Sequence, residues 1–195
     1  MSRRFGAAGV AIAMAFTLNG CAIPFYVSAP QITPDLVSDR ALGSSPNPNT
    51  SAFCVNDLKS SHLVAFGYAV KIPATVMAQA LVGGLASGGL LARPGRCRYA
   101  IAAQVIALRD QFVNLPFAPL PITSVVTYTM TDQSTSRTIT SRTITEHFRE
   151  PYVVTLPLDV GSEETVHRAI RGAIQANLKR YIESLIDMPA SPPVS

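Results

Sequence analysis

Val125-Val126-Thr127-Tyr128-Thr129-Met130-Thr131 alternates apolar and hydroxyl-bearing side chains along its length. Successive side chains of a strand point to opposite faces, so Val126, Tyr128 and Met130 share one face and the threonines the other. The stretch reads as a half-buried strand whose threonine face favours extended backbone and meets water. Asp132 to Ser136 follows as a polar turn, and Arg137 to Phe148 returns as the partner strand of a β-hairpin. Two similar blocks, Arg137-Thr138-Ile139-Thr140 and Arg142-Thr143-Ile144-Thr145, are offset by five residues in that partner. An odd offset puts Ile139 and Ile144 on opposite faces, so either a bulge resets the register or one isoleucine is exposed.

Downstream, Gly161-Ser162-Glu163-Glu164 marks a helix start, with Ser162 as N-cap and acids against the positive dipole end. Val166, Ala169, Ile170, Ala173, Ile174, Leu178, Tyr181, Ile182 and Leu185 then recur at helical spacing. Pro189 and Pro192-Pro193 end that helix. Upstream, Arg98 to Asp110 reads as a strand, and Val113 to Pro121, with three prolines, as a loop. Ser51 to Leu58 reads as a short strand, and Leu63 to Ile72 as a second strand or a strand-like lead into a helix. Ile72 to Ala92 carries no charge. Pro73 suits the first turn of a helix through Val76, Met77, Ala80, Leu81 and Leu85, which Gly83-Gly84 and Gly88-Gly89 should break or end. The order predicts an α+β domain over 51–188, a small antiparallel or mixed sheet of about four strands with two helices packed on one face. Residues 189–195 are expected to be a flexible tail.

The N-terminus is of another kind. Arg3 and Arg4 precede an apolar stretch from Ala7 to Leu18, then Leu18-Asn19-Gly20-Cys21. A basic head, an apolar run and a small-residue cleavage site make an export signal over residues 1–20. Cys21 directly after Gly20 resembles the lipobox of bacterial lipoproteins. That resemblance implies acylation at Cys21, cleavage before it, and attachment to a membrane through N-terminal acyl chains. Ala22 after the cysteine implies the outer membrane rather than the inner, with the protein facing the periplasm. From 21 to 50 the chain holds Pro24, Pro30, Pro34, Pro46 and Pro48 and is expected to be a disordered, semi-extended tether. Its apolar patch Ile23, Phe25, Tyr26 and Val27 is suited to the headgroup region or to docking on the domain.

Loss of Arg3 and Arg4 with the signal leaves 14 basic residues against 12 acidic. No block of about five or more like charges and no aromatic-basic interleaving exists, which speaks against nucleic acid. Cys54 and Cys97 are a disulfide candidate in an oxidising compartment; the alternative is two separate buried thiols. There is no C-x-x-C, H-E-x-x-H, G-x-S-x-G or phosphate-binding glycine motif. His62, His147 and His167 lack a second ligand at metal spacing, and the strand neighbours Glu146 and His147 point to opposite faces. No catalytic residue, metal site or cofactor is therefore nominated, and the expectation is a protein that is not an enzyme. Two surfaces are candidates for lipid or partner contact. One is the uncharged segment 72–92, represented by Leu81 and Leu85, with Gly84/Gly88 and Gly83/Ser87 at small-xxx-small spacing. The other is the helix face carrying Arg168, Arg171, Lys179 and Arg180.

The element order and the Ser124-to-Asp132 strand followed by a closing helix also resemble the auxiliary lipoproteins of ABC-type transporters. That likeness spans about Ser51 to Ile186 and implies a non-catalytic, partner-binding role. The leading expectation is an envelope accessory or scaffold protein with a protein partner, active in transport across the periplasm. A lipid-binding module using 72–92 and an envelope enzyme with an unrecognised site are the alternatives.

Overall fold

The computed structural model describes residues 25–26, 32–34, 50–66, 68–110, 120–150 and 163–188. The signal, Cys21, Ser162 and most of the proline loop before Leu120 lie outside the described residues. Strands are numbered β1 to β7 and helices α1 and α2 in chain order: β1 Phe25–Tyr26, β2 Phe53–Val55, β3 Ser61–Ala65, β4 Tyr68–Ile72, α1 Ala74–Ser87, β5 Tyr99–Asp110, β6 Leu120–Asp132, β7 Arg137–Glu150 and α2 Glu163–Ile186.

The alternating stretch lies in β6, and β7 returns antiparallel to it. The Asp132 carboxylate closes the turn by accepting hydrogen bonds from the Ser134 N–H (2.8 Å) and the Thr135 N–H (3.3 Å), the self-bonding turn geometry of aspartate. The bonds from Ser134 hold its carboxyl below the usual range. Both alternatives for the repeated blocks occur together. The register slips at Met130/Thr131, which leaves Ile139 as the extra residue of a bulge. Ile139 is 48% exposed and Ile144 only 6%. The strand starts earlier than the prolines suggest: Pro121, expected in a loop, stands opposite Arg149 near the beginning of β6. Proline is tolerated there because a strand's first residues can forgo a ladder donor.

β5 runs antiparallel to the other side of β6, and β2 runs parallel to β5. The sheet order is β2-β5-β6-β7, a mixed four-stranded sheet in the expected α+β class. α2 covers one face of it. All nine periodic residues from Val166 to Leu185 are buried. They meet Ile122, Val126, Tyr128 and Met130 of β6 and Ile101, Ala103 and Val105 of β5 in a single core.

Three features depart from the sequence reading. Leu63 to Ile72 is two strands rather than one: β3 and β4 pair antiparallel, and Phe66, with φ of +50°, begins the reversal. The proline-rich stretch does hold a regular element, since β1 pairs parallel with β4 and completes a second sheet, β1-β4-β3. Finally, α1 continues through Gly83-Gly84 and ends at Ser87. The glycines are there for close approach. A Cβ at Gly84 would lie 2.9 Å from Pro34 Cγ and would overlap Ile182 Cδ1, and one at Gly83 would lie 2.7 Å from Thr33 Cγ2. Ile32 and Pro34 are buried, and the Gln175 side-chain amide donates to the Thr33 carbonyl at 3.0 Å. Residues 32–34 are thus wedged against both helices, and the small residues of α1 serve contacts inside the protein.

Candidate functional site

Cys54 and Cys97 are joined by a disulfide, with Cα atoms 5.6 Å apart. Cys54 lies in β2 and Cys97 just before β5, so the bridge pins the start of the parallel pair. Leu81 and Leu85 are fully buried, which places them in the core and off any surface. The basic residues of α2 all meet carboxylates. Arg168 bonds Glu150 at 2.9 Å, Arg171 bonds Glu164 at 2.7 Å, Arg180 lies 3.7 Å from Glu146 and Lys179 lies 4.0 Å from Glu183. The expected cationic stripe is therefore largely neutralised, by strand acids that face the helix at Arg168 and Arg180 and by acids of α2 itself at Arg171 and Lys179. No described helix is long and apolar enough to cross a membrane, and no group of three His, Cys, Asp or Glu residues among the described residues is placed to hold a metal.

A buried polar network joins α2 to the sheet. The Tyr128 hydroxyl donates to Asn177 Oδ1 at 3.0 Å. The Asn177 amide nitrogen donates to the carbonyls of Ser124 (3.1 Å) and Ile144 (3.0 Å), and Ser124 Oγ donates to the Ala173 carbonyl at 2.7 Å. Tyr181 stacks on Tyr128 with ring centroids 3.8 Å apart, and its hydroxyl has no hydrogen-bond partner among the described residues. Burial pushes both phenols above their ordinary value of 10.0; each neighbours the other, and Arg142 pulls Tyr181 back only in part. An unfolded tyrosine ionises near pH 10 while these stay protonated, so above that pH the unfolded chain binds fewer protons and stability falls as pH rises. The urea midpoint should begin to drop at about pH 10 and fall most steeply above about pH 11, where Tyr181→Phe should lessen the slope by close to one proton. A midpoint that stays level at these pH values would contradict the burial of both hydroxyls.

The opposite face of the four-stranded sheet is open among the described residues. It carries Ala102 and Gln104 of β5, the alternate threonines of β6, and Ser141, Thr143 and Thr145 of β7. A cavity of about 350 Å³ lies over its middle, between Asp57 and Lys59 on one side and Ile106, Thr127 and Thr129 on the other. At one end, Arg109, Thr123 and His147 form a single cross-strand row, because Arg109 pairs with Thr123 and Thr123 with His147. Arg149, two residues along β7, shares their face. These four line a second cavity, of about 190 Å³, and Thr123 Oγ1 holds His147 Nδ1 at 2.8 Å. Sequence reasoning missed this grouping, although its signal is present. Arg109-Asp110, Glu146-His147 and Arg149-Glu150 each place an acid beside a base. Strand alternation sends the acids to one face and the bases to the other.

No protein-family model matches the chain, and no curated protein matches it closely. Its fold is similar to a solved one. Protein XCC0632 from Xanthomonas campestris, of the family DUF330, superposes with a TM-score of 0.55 at 15% identity, over 85% of this chain and 95% of that one. A minor lipoprotein from Acinetobacter baumannii aligns over 74% of this chain and 98% of its own, at 15% identity and a TM-score of 0.45. The likeness to the Xanthomonas protein is one of fold.

Proposed function

We propose that this chain is a lipid-anchored protein of the bacterial cell envelope, non-catalytic, with an accessory role in transport across the periplasm. The observation that carries the reading is Leu18-Asn19-Gly20-Cys21, followed within four residues by β1. An anchor at Cys21 would leave a fully extended span of at most about 14 Å before the domain begins. Such a protein is held against its membrane rather than lifted away on a long tether. The Cys54–Cys97 bridge is in keeping with an oxidising compartment. Ala22 favours the outer membrane, with the domain in the periplasm.

The accessory role draws on the open sheet face and on β7, an edge strand of 14 residues whose first half is exposed. A free edge can accept an extended segment of an envelope protein by main-chain hydrogen bonding. Cys21→Ser should block processing before residue 21 and leave the protein without acyl chains, and mass spectrometry of the wild-type N-terminus should show an acylated cysteine. Photo-cross-linkers at Thr143 or Thr145 should capture transporter subunits. Equal membrane retention of Cys21→Ser, with the leader removed at the same bond, overturns the anchor; capture of no envelope protein from cells overturns the accessory role.

A further inference from the structure

The direction of β1 relates the anchor to the basic end of the sheet. β1 runs parallel to β4, pairing Phe25 with Val70 and Tyr26 with Lys71, so the chain enters it from the Tyr68 end of β4. That end is tied to the end of β5, because the Phe66 N–H, just past β3, donates to the Asp110 carboxylate at 2.6 Å. Arg109 is the neighbouring residue and faces the open side with His147 and Arg149. The entry to β1 and the cavity lined by Arg109, Thr123, His147 and Arg149 therefore belong to the same end of the molecule.

The charges at this end are already sorted. Glu146 and Glu150 turn to the α2 face, where they meet Arg180 and Arg168, and Asp110 is engaged by the Phe66 amide. No carboxylate among the described residues pairs with Arg109 or Arg149. Two exposed guanidinium groups, an imidazole and a hydroxyl around one concavity offer the donor set that phosphate oxygens take up. Val64, 66% exposed on β3 beside the same end, adds an apolar side chain suited to the headgroup boundary.

We propose that Arg109, Arg149 and His147 bind phosphate groups of anionic lipid headgroups in the membrane that anchors the chain, so that the domain sits on that membrane by a second, polar attachment. The inference rests on the lipid anchor at Cys21 and adds the face that meets the bilayer. The test uses the mature, acylated protein and an arginine-selective dicarbonyl reagent, with mass spectrometry reading each arginine. Arg137 and Arg142, near the hairpin turn at the other end of β7, are the internal reference. In phosphatidylglycerol vesicles Arg109 and Arg149 should be modified about five-fold more slowly than in detergent micelles, while the reference arginines keep their rates. Equal protection in vesicles of an uncharged, phosphate-free galactolipid would mean simple shielding and would overturn phosphate binding. Equal protection by inorganic phosphate in micelles would assign the site to the free ion and overturn the lipid. No protection in a chain that floats with the vesicles overturns the proposal and leaves the anchor standing. A chain that does not float overturns the anchor, and this inference with it.

Discussion

Opening the Cys54–Cys97 bridge is expected to lower stability by about 4 kcal/mol in the chain-entropy model of a loop this long. The two cysteines are 43 residues apart, and the loop between them contains β3, β4 and α1. In the reduced unfolded chain those residues gain freedom that the bridge denies them. The folded state also has local reason to weaken there. β2 is three residues long, and besides its pairing with β5 it has a single bridge, from Phe53 to Leu91. Domains of this size hold a net stability of roughly 5–15 kcal/mol, so the loss is a large fraction of the whole. Urea midpoints of the oxidised protein, the reduced protein and the double Cys54→Ser, Cys97→Ser variant measure it. The last two should agree and fall well below the first. A coincident midpoint for all three, or two titratable thiols in the native protein under air, would remove the bridge from the stability of this fold. The consequence for function is compartmental: a chain retained in a reducing cytoplasm would be the weaker form.

The elements that could be read from sequence are those whose periodicity comes from burial on one face. The closing helix and the Val125–Thr131 strand are of that type, and each buried apolar position was legible from spacing alone, whereas the buried polar Thr165 and Asn177 of the helix were not. The glycines of α1 were misread because propensity weighs a residue against solvent and helix only. Gly84 is tolerated in the helix since Pro34 and Ile182 occupy the space that a side chain would need, and Pro34 lies 50 residues away in sequence. The pairing of β1 with β4 is likewise non-local, and two residues cannot display a period. The basic row at the end of the sheet is a different case. Its alternation was readable strand by strand, and Glu146 and His147 do point to opposite faces. What joins Arg109 to His147 is the register between β5, β6 and β7, which includes a bulge at Ile106. Without that extra residue Arg109 would turn to the helix side and the row would not exist.

Asn177→Ala is expected to destabilise the protein by about 3–5 kcal/mol, the sum of several buried groups losing their partners at once. The Asn177 side chain is the one bridge between Tyr128 of β6, the Ser124 carbonyl of the same strand and the Ile144 carbonyl of β7. Removing it leaves a phenol unsatisfied and takes one donor from each of two carbonyls in a core that admits no water-exposed route at Asn177, Tyr128 or Ser124, all at or below 1% exposure. Loss of volume alone would cost less, and two further variants separate the causes. Asn177→Leu keeps the bulk and should still cost most of the amount. Asn177→Asp at neutral pH turns a donor into an anion facing two carbonyl oxygens and should cost at least as much as alanine. Tyr128→Phe, which orphans only Asn177 Oδ1, should cost about 1–2 kcal/mol. A urea midpoint of Asn177→Leu equal to that of the wild type would reduce the network to packing. The network has a further effect on the surface. It fixes the rotation of α2 over the sheet, and that rotation brings Arg168 and Arg180 to Glu150 and Glu146. Those pairs tie α2 to the edge strand β7, whose own alternation already turns Glu146 and Glu150 toward the helix.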